Sequence, residues 1–210
     1  MCEFKSAICL KDRVFVPDYD SHDRMLKELK IPDTEYHAEH TFVRVELSPA
    51  DGDMTSDPMG WKIRIDQDIL PDWFVHKVDE ERVKVAVADW CKVHVLRRGK
   101  HEVHEGVWIA YGSATVKAYG SASVTAYDSA TVTAYDSATV TAYDSATVKA
   151  YNSATVTAYG SATVKAYDSA TVIIPKSWGT SKPVQLNGNA ICVNHRDKTV
   201  KSASKWTMEG

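Results

Sequence analysis

From Ala110 to Ile173, small apolar residues and larger polar or aromatic ones follow one eight-residue order, repeated eight times without insertion. With the repeat numbered A1-Y2-D3-S4-A5-T6-V7-T8, Ala114, Val116 and Ala118 alternate with Thr115, Lys117 and Tyr119. A period of two with one apolar side predicts a strand half buried in a sheet. Threonine, valine and tyrosine favour that setting. No apolar face recurs at spacings of three and four, so the helical reading fails. Position 3 predicts a corner. It holds Gly112, Gly120, Asp128, Asp136, Asp144, Asn152, Gly160 and Asp168, the residue types that best tolerate a left-handed backbone. The serine that follows can bond its hydroxyl to backbone at a turn.

One strand and one corner per octad predict a β-solenoid (β-helix) with two octads per coil. Each coil should advance by about 4.8 Å. At position 8, Lys117, Lys149 and Lys165 all lie in odd-numbered copies, so a two-octad coil places them on one face. A triangular, three-octad coil would scatter them over two. The interior is expected to hold only alanine and valine, where a larger side chain would overpack by about 1–3 kcal/mol. Open ends of such an array are templates for aggregation, so caps are expected.

The flanks read differently. Residues 1–97 are expected to form an α+β domain, 98–109 a junction carrying a degenerate first repeat (EVHEGVWI), and 174–210 a C-terminal cap. Thr41–Leu47 and Trp61–Asp66 both alternate, directing Val43, Val45 and Leu47, and Trp61, Ile63 and Ile65, toward a core. The Pro-, Asp- and Gly-rich stretch Ser48–Gly60 reads as the hairpin connection between them, and Arg13–Val16 as a further strand. A short helix is expected over Ser21–Leu29, opened by Asp20 or Ser21. A longer one begins at Asp79-Glu80-Glu81, with Val83, Val87 and Trp90 as its buried stripe and Lys92 and His94 near its negative end. Asn189–Val193 resembles one more strand, and Trp178 and Trp206 are candidates to cover the last coil.

Charge is uneven: residues 1–109 carry a balance of −6, the repeats −1 and residues 174–210 +4. A basic tail this short is weak evidence for nucleic acid, since most such tails are simply solvated, and no nucleic-acid partner is expected. Asp128, Asp136, Asp144 and Asp168 supply too little charge for DNA mimicry. The first residues lack the apolar run of a signal peptide, Lys5 interrupting them, and nothing approaches the roughly 20 apolar residues of a membrane span. The four cysteines (Cys2, Cys9, Cys91, Cys192) have no paired spacing, which favours reduced thiols and a cytoplasmic location.

Candidate chemistry is sparse. His37-Ala-Glu-His40 and His101-Glu-Val-His104 each set two imidazoles three apart without a third and fourth ligand, so no metal is expected there. Asp51-Gly-Asp53 starts like a calcium loop, but the later ligands are missing. GxSxG, Walker and GxGxxG motifs are absent, and Cys91 beside Trp90 reads as a small buried hydrophobe. A non-enzymatic protein without a cofactor is expected. What remains is the repeat surface. Tyr111, Tyr127, Tyr143 and Tyr159 should stack along one edge, and Tyr119, Tyr135, Tyr151 and Tyr167 along the other. Such rows either stabilise their own edge or form a protein-binding or homodimer surface. Thr125, Thr141 and Thr157 beside Thr139, Thr155 and Thr171 should form a lysine-free grid, with Ser123 completing a row. It suits β propensity, or an ordered water or ice surface.

The units AYGSATVK and AYDSATVT resemble the octapeptides of bacterial ice-nucleation proteins in their Tyr-(Gly/Asp)-Ser-x-Thr core. That resemblance, confined to the repeats, implies a β-solenoid with a tyrosine ladder and Thr-x-Thr rows. The repeat array here is shorter and richer in valine, and it lacks the family's second glycine-rich half unit. The whole layout, with FVRVELSP and DQDILPDW ahead of AYDSATV repeats, resembles uncharacterised bacterial and bacteriophage proteins. The latter implies a phage or mobile-element origin and brings no known activity with it. From the rigid, tyrosine-edged repeat surface an interaction or scaffold protein is expected, in a phage setting an inhibitor of a host or defence protein.

Overall fold

Alternation and corner residues wind the octads into a parallel β-solenoid of about six turns with a 16-residue period. The computed structural model describes residues 4–50, 52–177, 182 and 184–203; Trp178 and Trp206 lie outside these. Two compact units divide the chain, Met1–Val93 and His94–Gly210.

The first unit is built on β1 (Lys5–Leu10), β2 (Val14–Phe15), α1 (His22–Glu28), α2 (Glu35–His40), β3 (Phe42–Ser48), β4 (Lys62–Ile65) and α3 (His76–His94). Its four strands pair antiparallel in the order β2-β1-β3-β4. Central β1 is buried at every position, Lys5 included. The buried Lys5 side chain is partnered there: Asp20 Oδ1 is 2.8 Å from its Nζ and the Trp90 ring centroid 4.6 Å away. Val43, Val45 and Leu47 point inward as the alternation predicts. Trp61 does too, but Ile63 and Ile65 are only half-buried, since β4 is an edge strand. Ser21 opens α1, its hydroxyl accepting the Arg24 N–H at 3.4 Å. Helix α3 starts at His76, a turn-end earlier than its acidic run. The Asp79 carboxylate reaches back to the Val75 N–H at 2.7 Å, so this acid sits inside the first turn. Val83, Val87 and Trp90 are buried, and Asp79 and Cys91 join them.

The solenoid opens with β5 (Val95–Val103) and β6 (Val107–Ala118). Six uniform strands follow: β7 (Ser123–Ala126), β8 (Thr131–Ala134), β9 (Thr139–Ala142), β10 (Thr147–Ala150), β11 (Thr155–Ala158) and β12 (Thr163–Ala166). The last four are β13 (Thr171–Ile174), β14 (Gln185–Leu186), β15 (Ile191–Asn194) and β16 (Thr199–Ser202). Even and odd octads form two separate columns. One runs β6-β8-β10-β12-β14, the other β6-β7-β9-β11-β13-β15-β16, because the long β6 serves both. Within a column like residues meet: Val116, Val132, Val148 and Val164 are in register. Every repeat alanine and valine from Ala114 to Val172 is at most 1 % exposed, which is the narrow alanine-valine interior that the pattern predicts.

From Tyr119 to Ala170 each corner is a Tyr-x-Ser-Ala turn closed by a bond such as Ala138 N–H to Tyr135 O at 3.0 Å, whereas residues 111–114, where the pattern predicts the first corner, run within β6 with Gly112 at φ 59°. The second residue of that turn has positive φ: 51° to 54° at Asp128, Asp136, Asp144, Asn152 and Asp168. Intercoil bonds continue through the corners, Tyr135 N–H to Ala118 O at 2.8 Å and Ser153 N–H to Asp136 O at 2.9 Å. Backbone pairing is therefore continuous around the coil, which a thin interior requires. At the far end β16 returns antiparallel on β15, ending the parallel stack.

Candidate functional site: the solenoid edges and faces

Each repeat position is stacked in register from coil to coil, so four surfaces follow, two edges and two faces. The tyrosines occupy the two edges. Tyr119, Tyr135, Tyr151 and Tyr167 stack with ring centroids 4.9, 5.2 and 4.7 Å apart and planes within 14°. Tyr127, Tyr143 and Tyr159 stack at 5.0 and 4.8 Å, and Tyr111 joins them tilted by 43° at 6.0 Å. These separations fall in the favourable range for aromatic pairs, and every ring is half-buried by its neighbours. His104 extends the first ladder, stacking on Tyr119 at 5.0 Å. The octad frame does not reveal this, because β5 meets β6 with an offset of 15 residues (Val103 against Ala118) after a bulge at Leu96/Arg98.

The two edges differ in their polar chemistry. Beside the first ladder, side chains of one coil accept backbone N–H groups of the coil before. Asp136 Oδ2 takes Gly120 N–H at 3.3 Å, Asn152 Oδ1 takes Asp136 N–H at 3.3 Å and Asp168 Oδ2 takes Asn152 N–H at 3.0 Å. Beside the second, serine hydroxyls donate to the preceding coil: Ser129 to Gly112 O at 2.9 Å and Ser145 to Asp128 O at 3.0 Å. Position 3 thus holds Asp and Asn both for their tolerance of positive φ and for a bond across coils.

The two flat faces differ as well. One carries the row Glu102, Lys117, Thr133, Lys149, Lys165, Gln185. Lys117 Nζ lies 2.8 Å from Glu102, and this pairing raises the lysine pKa and lowers that of the carboxyl. The other face has no lysine within its grid. Thr139, Thr155 and Thr171 lie in line with Ser123, beside Thr125, Thr141 and Thr157. Ile109 precedes the Thr125 row, Ile173 follows it, and Val107 and Ile191 bracket the Ser123 row.

No family model, curated protein or solved structure matches the chain. Its chemistry must be read from its own residues.

The histidine pairs are engaged elsewhere than with one another. His37 Nδ1 meets Thr34 Oγ1 at 2.8 Å, His40 Nδ1 meets Tyr36 O at 2.7 Å and His101 Nε2 meets Arg98 O at 2.8 Å. Asp53 accepts from Thr55 N–H and its hydroxyl at 2.7 and 2.6 Å; Asp51 lies outside the described residues. Cys9, Cys91 and Cys192 are buried and in no disulfide. Burial pushes the Cys9 thiol up to about 11, the nearby Arg82 offsetting only part of that, so it is a poor nucleophile at neutral pH. Among the described residues no helix is long and apolar enough to cross a membrane. One cluster is invisible in the sequence spacing: His22, Glu46 and Asp66 come together from α1, β3 and the end of β4.

Proposed function

We propose that this protein is a non-enzymatic interaction scaffold, in which the solenoid holds its tyrosine edges as a rigid binding surface for a protein partner or a second copy of the chain. The observation that carries this reading is the uninterrupted stacking of Tyr119, Tyr135, Tyr151 and Tyr167. A ladder fixed in this way loses little side-chain entropy on binding, which lowers the cost of forming an interface. Tyrosine is also enriched in interface cores. The resemblance to bacteriophage proteins makes a host or defence protein in the cytoplasm the partner class to seek.

The test separates stacking from recognition. Replacing Tyr135, Tyr151 and Tyr167 by Phe keeps the ring stack and removes its outward hydroxyls. Self-association in a dilution series, or capture of a specific protein from host lysate, should weaken in this variant while thermal stability holds. A wild-type protein that stays monomeric at high concentration and captures nothing overturns the reading.

The threonine face supports a second reading, an ordered-water or ice-binding surface. Its rows are spaced by about 4.8 Å between strands and about 6.7 Å along them, and the lysines are confined to the opposite face. Thermal hysteresis and ice recrystallisation assays decide it. Activity should be lost on Thr141→Lys; wild-type inactivity ends the idea.

A further inference from the structure

Sequence-distant side chains converge in the first unit. His22 is the first residue of α1, Glu46 lies on β3, and Asp66 follows β4 by one residue. A donor atom from each lies within 4.8 Å of the other two. The β3–β4 register arranges the carboxylates: Glu46 pairs with Arg64, and Asp66 is two residues further on the same face.

The histidine decides what this cluster can do. Its side chain is 9 % exposed, and Nε2 lies 3.3 Å from the carbonyl oxygen of Val45. A carbonyl only accepts, so Nε2 carries the proton and the lone pair of the neutral ring is on Nδ1. Nδ1 stands 3.4 Å from Asp66 Oδ2. Two acceptors facing each other at that distance are favourable only with a cation between them or a proton on Nδ1. An imidazole whose far N–H is held by a backbone carbonyl is also the arrangement that orients metal-bound histidines. For bonds of about 2.0–2.1 Å, ligand atoms on a tetrahedron sit about 3.3 Å apart, which the His22–Asp66 separation matches.

We propose that His22, Glu46 and Asp66 form an open, three-ligand site for a divalent transition-metal ion of the zinc class. One imidazole nitrogen with two carboxylates favours such an ion over calcium or magnesium, which take oxygen ligands. Arg64 is its competitor. The guanidinium lies 3.5 Å from both Glu46 and Asp66, and the side chain is 72 % exposed, so it balances the carboxylates when no ion is bound and can swing into solvent when one is. Three protein ligands leave one position open for water or for a group from another molecule. This site involves no solenoid residue and stands or falls apart from the scaffold reading.

The test is calorimetric titration of the full-length protein with Zn2+ alone in chelator-free buffer, with Co2+ absorption reporting coordination geometry. Saturable binding of one ion per chain is expected. His22→Ala and Asp66→Asn should each weaken it by at least about tenfold, the lower bound even for losing an outer partner of a ligand. Arg64→Gln should tighten it, an outcome that a folding defect cannot mimic. His40→Ala on exposed α2 should leave it unchanged. Absence of saturable binding overturns the proposal. So does undiminished binding in His22→Ala, or a loss in His40→Ala, which would assign the ion to surface histidines.

Discussion

At the scale of single residues the corner aspartates show how one side chain serves two physical demands. Asp136 sits at φ 54° and its carboxylate accepts the Gly120 N–H of the preceding coil. A β-branched residue there keeps neither the tolerance nor the bond, whereas glycine keeps the backbone conformation. Asp136→Val should therefore destabilise by about 1–2 kcal/mol more than Asp136→Gly, the usual penalty of a left-handed backbone, measured as the difference in denaturant midpoints at equal slope. Equal losses would assign the role of Asp136 to its carboxylate alone. Terminal corners show the other limit. A Cβ on Gly120 would stand 2.8 Å from the His104 carbonyl oxygen, so there glycine answers a close approach as well as a positive φ. The octad pattern made these corners legible because all three demands select from the same short list of residue types. The His22–Glu46–Asp66 cluster was not legible, since nothing in spacings of 24 and 20 residues reports that the first residue of α1 meets β3 and the residue after β4.

Among the elements, the ladders and strands were readable wherever one offset governs every coil. The start of the first coil was hidden because Val95–Val103 lacks the octad and meets β6 fifteen residues on, after a bulge, whereas residues 107–109 of the degenerate repeat stack on residues 123–125 in frame. Likewise β4 alternates like a core strand but lies at a sheet edge, which alternation cannot report. The stacked phenols carry a pH dependence of their own. Burial raises the Tyr151 pKa, and the neighbouring Tyr167, Tyr135 and Asp168 raise it further by disfavouring a phenolate among them. Folding therefore favours the neutral phenol. That stabilisation is complete below the ordinary phenol pKa of about 10 and is lost as pH rises through the higher value of the folded state. In the first unit Tyr19 behaves alike, its phenol pushed up to about 12 by burial and by its bond to Glu28. Tyr151→Phe keeps the stack but has no proton to lose. Its denaturation midpoint should fall less steeply with alkali than that of the wild type; identical slopes would show that ladder ionisation is not coupled to folding.

For the solenoid as a whole, stability is a sum over neighbouring coils, and the surface is determined by which octads share a column. These two properties can be separated by deletion. Removing Tyr127–Ala142 takes out one coil of 16 residues, after which β10 stacks directly on β6 and every column keeps its chemistry. Removing Tyr127–Ala134 takes out one octad. The interior still meets alanine with alanine and valine with valine, so the chain should fold, but β10 now stacks on β7, and Lys149 and Lys165 move onto the threonine face. Paired cysteines read the outcome, since adjacent parallel strands bring Cα atoms to about 4.8 Å, within disulfide range. Lys117→Cys with Lys149→Cys should cross-link only in the coil deletion, because Thr133 separates them in the full chain. Thr125→Cys with Lys149→Cys should cross-link only in the octad deletion, which should also abolish any activity of the threonine face. Cross-linking of the first pair in both deletions, or in neither, would mean that the coil does not close on two octads.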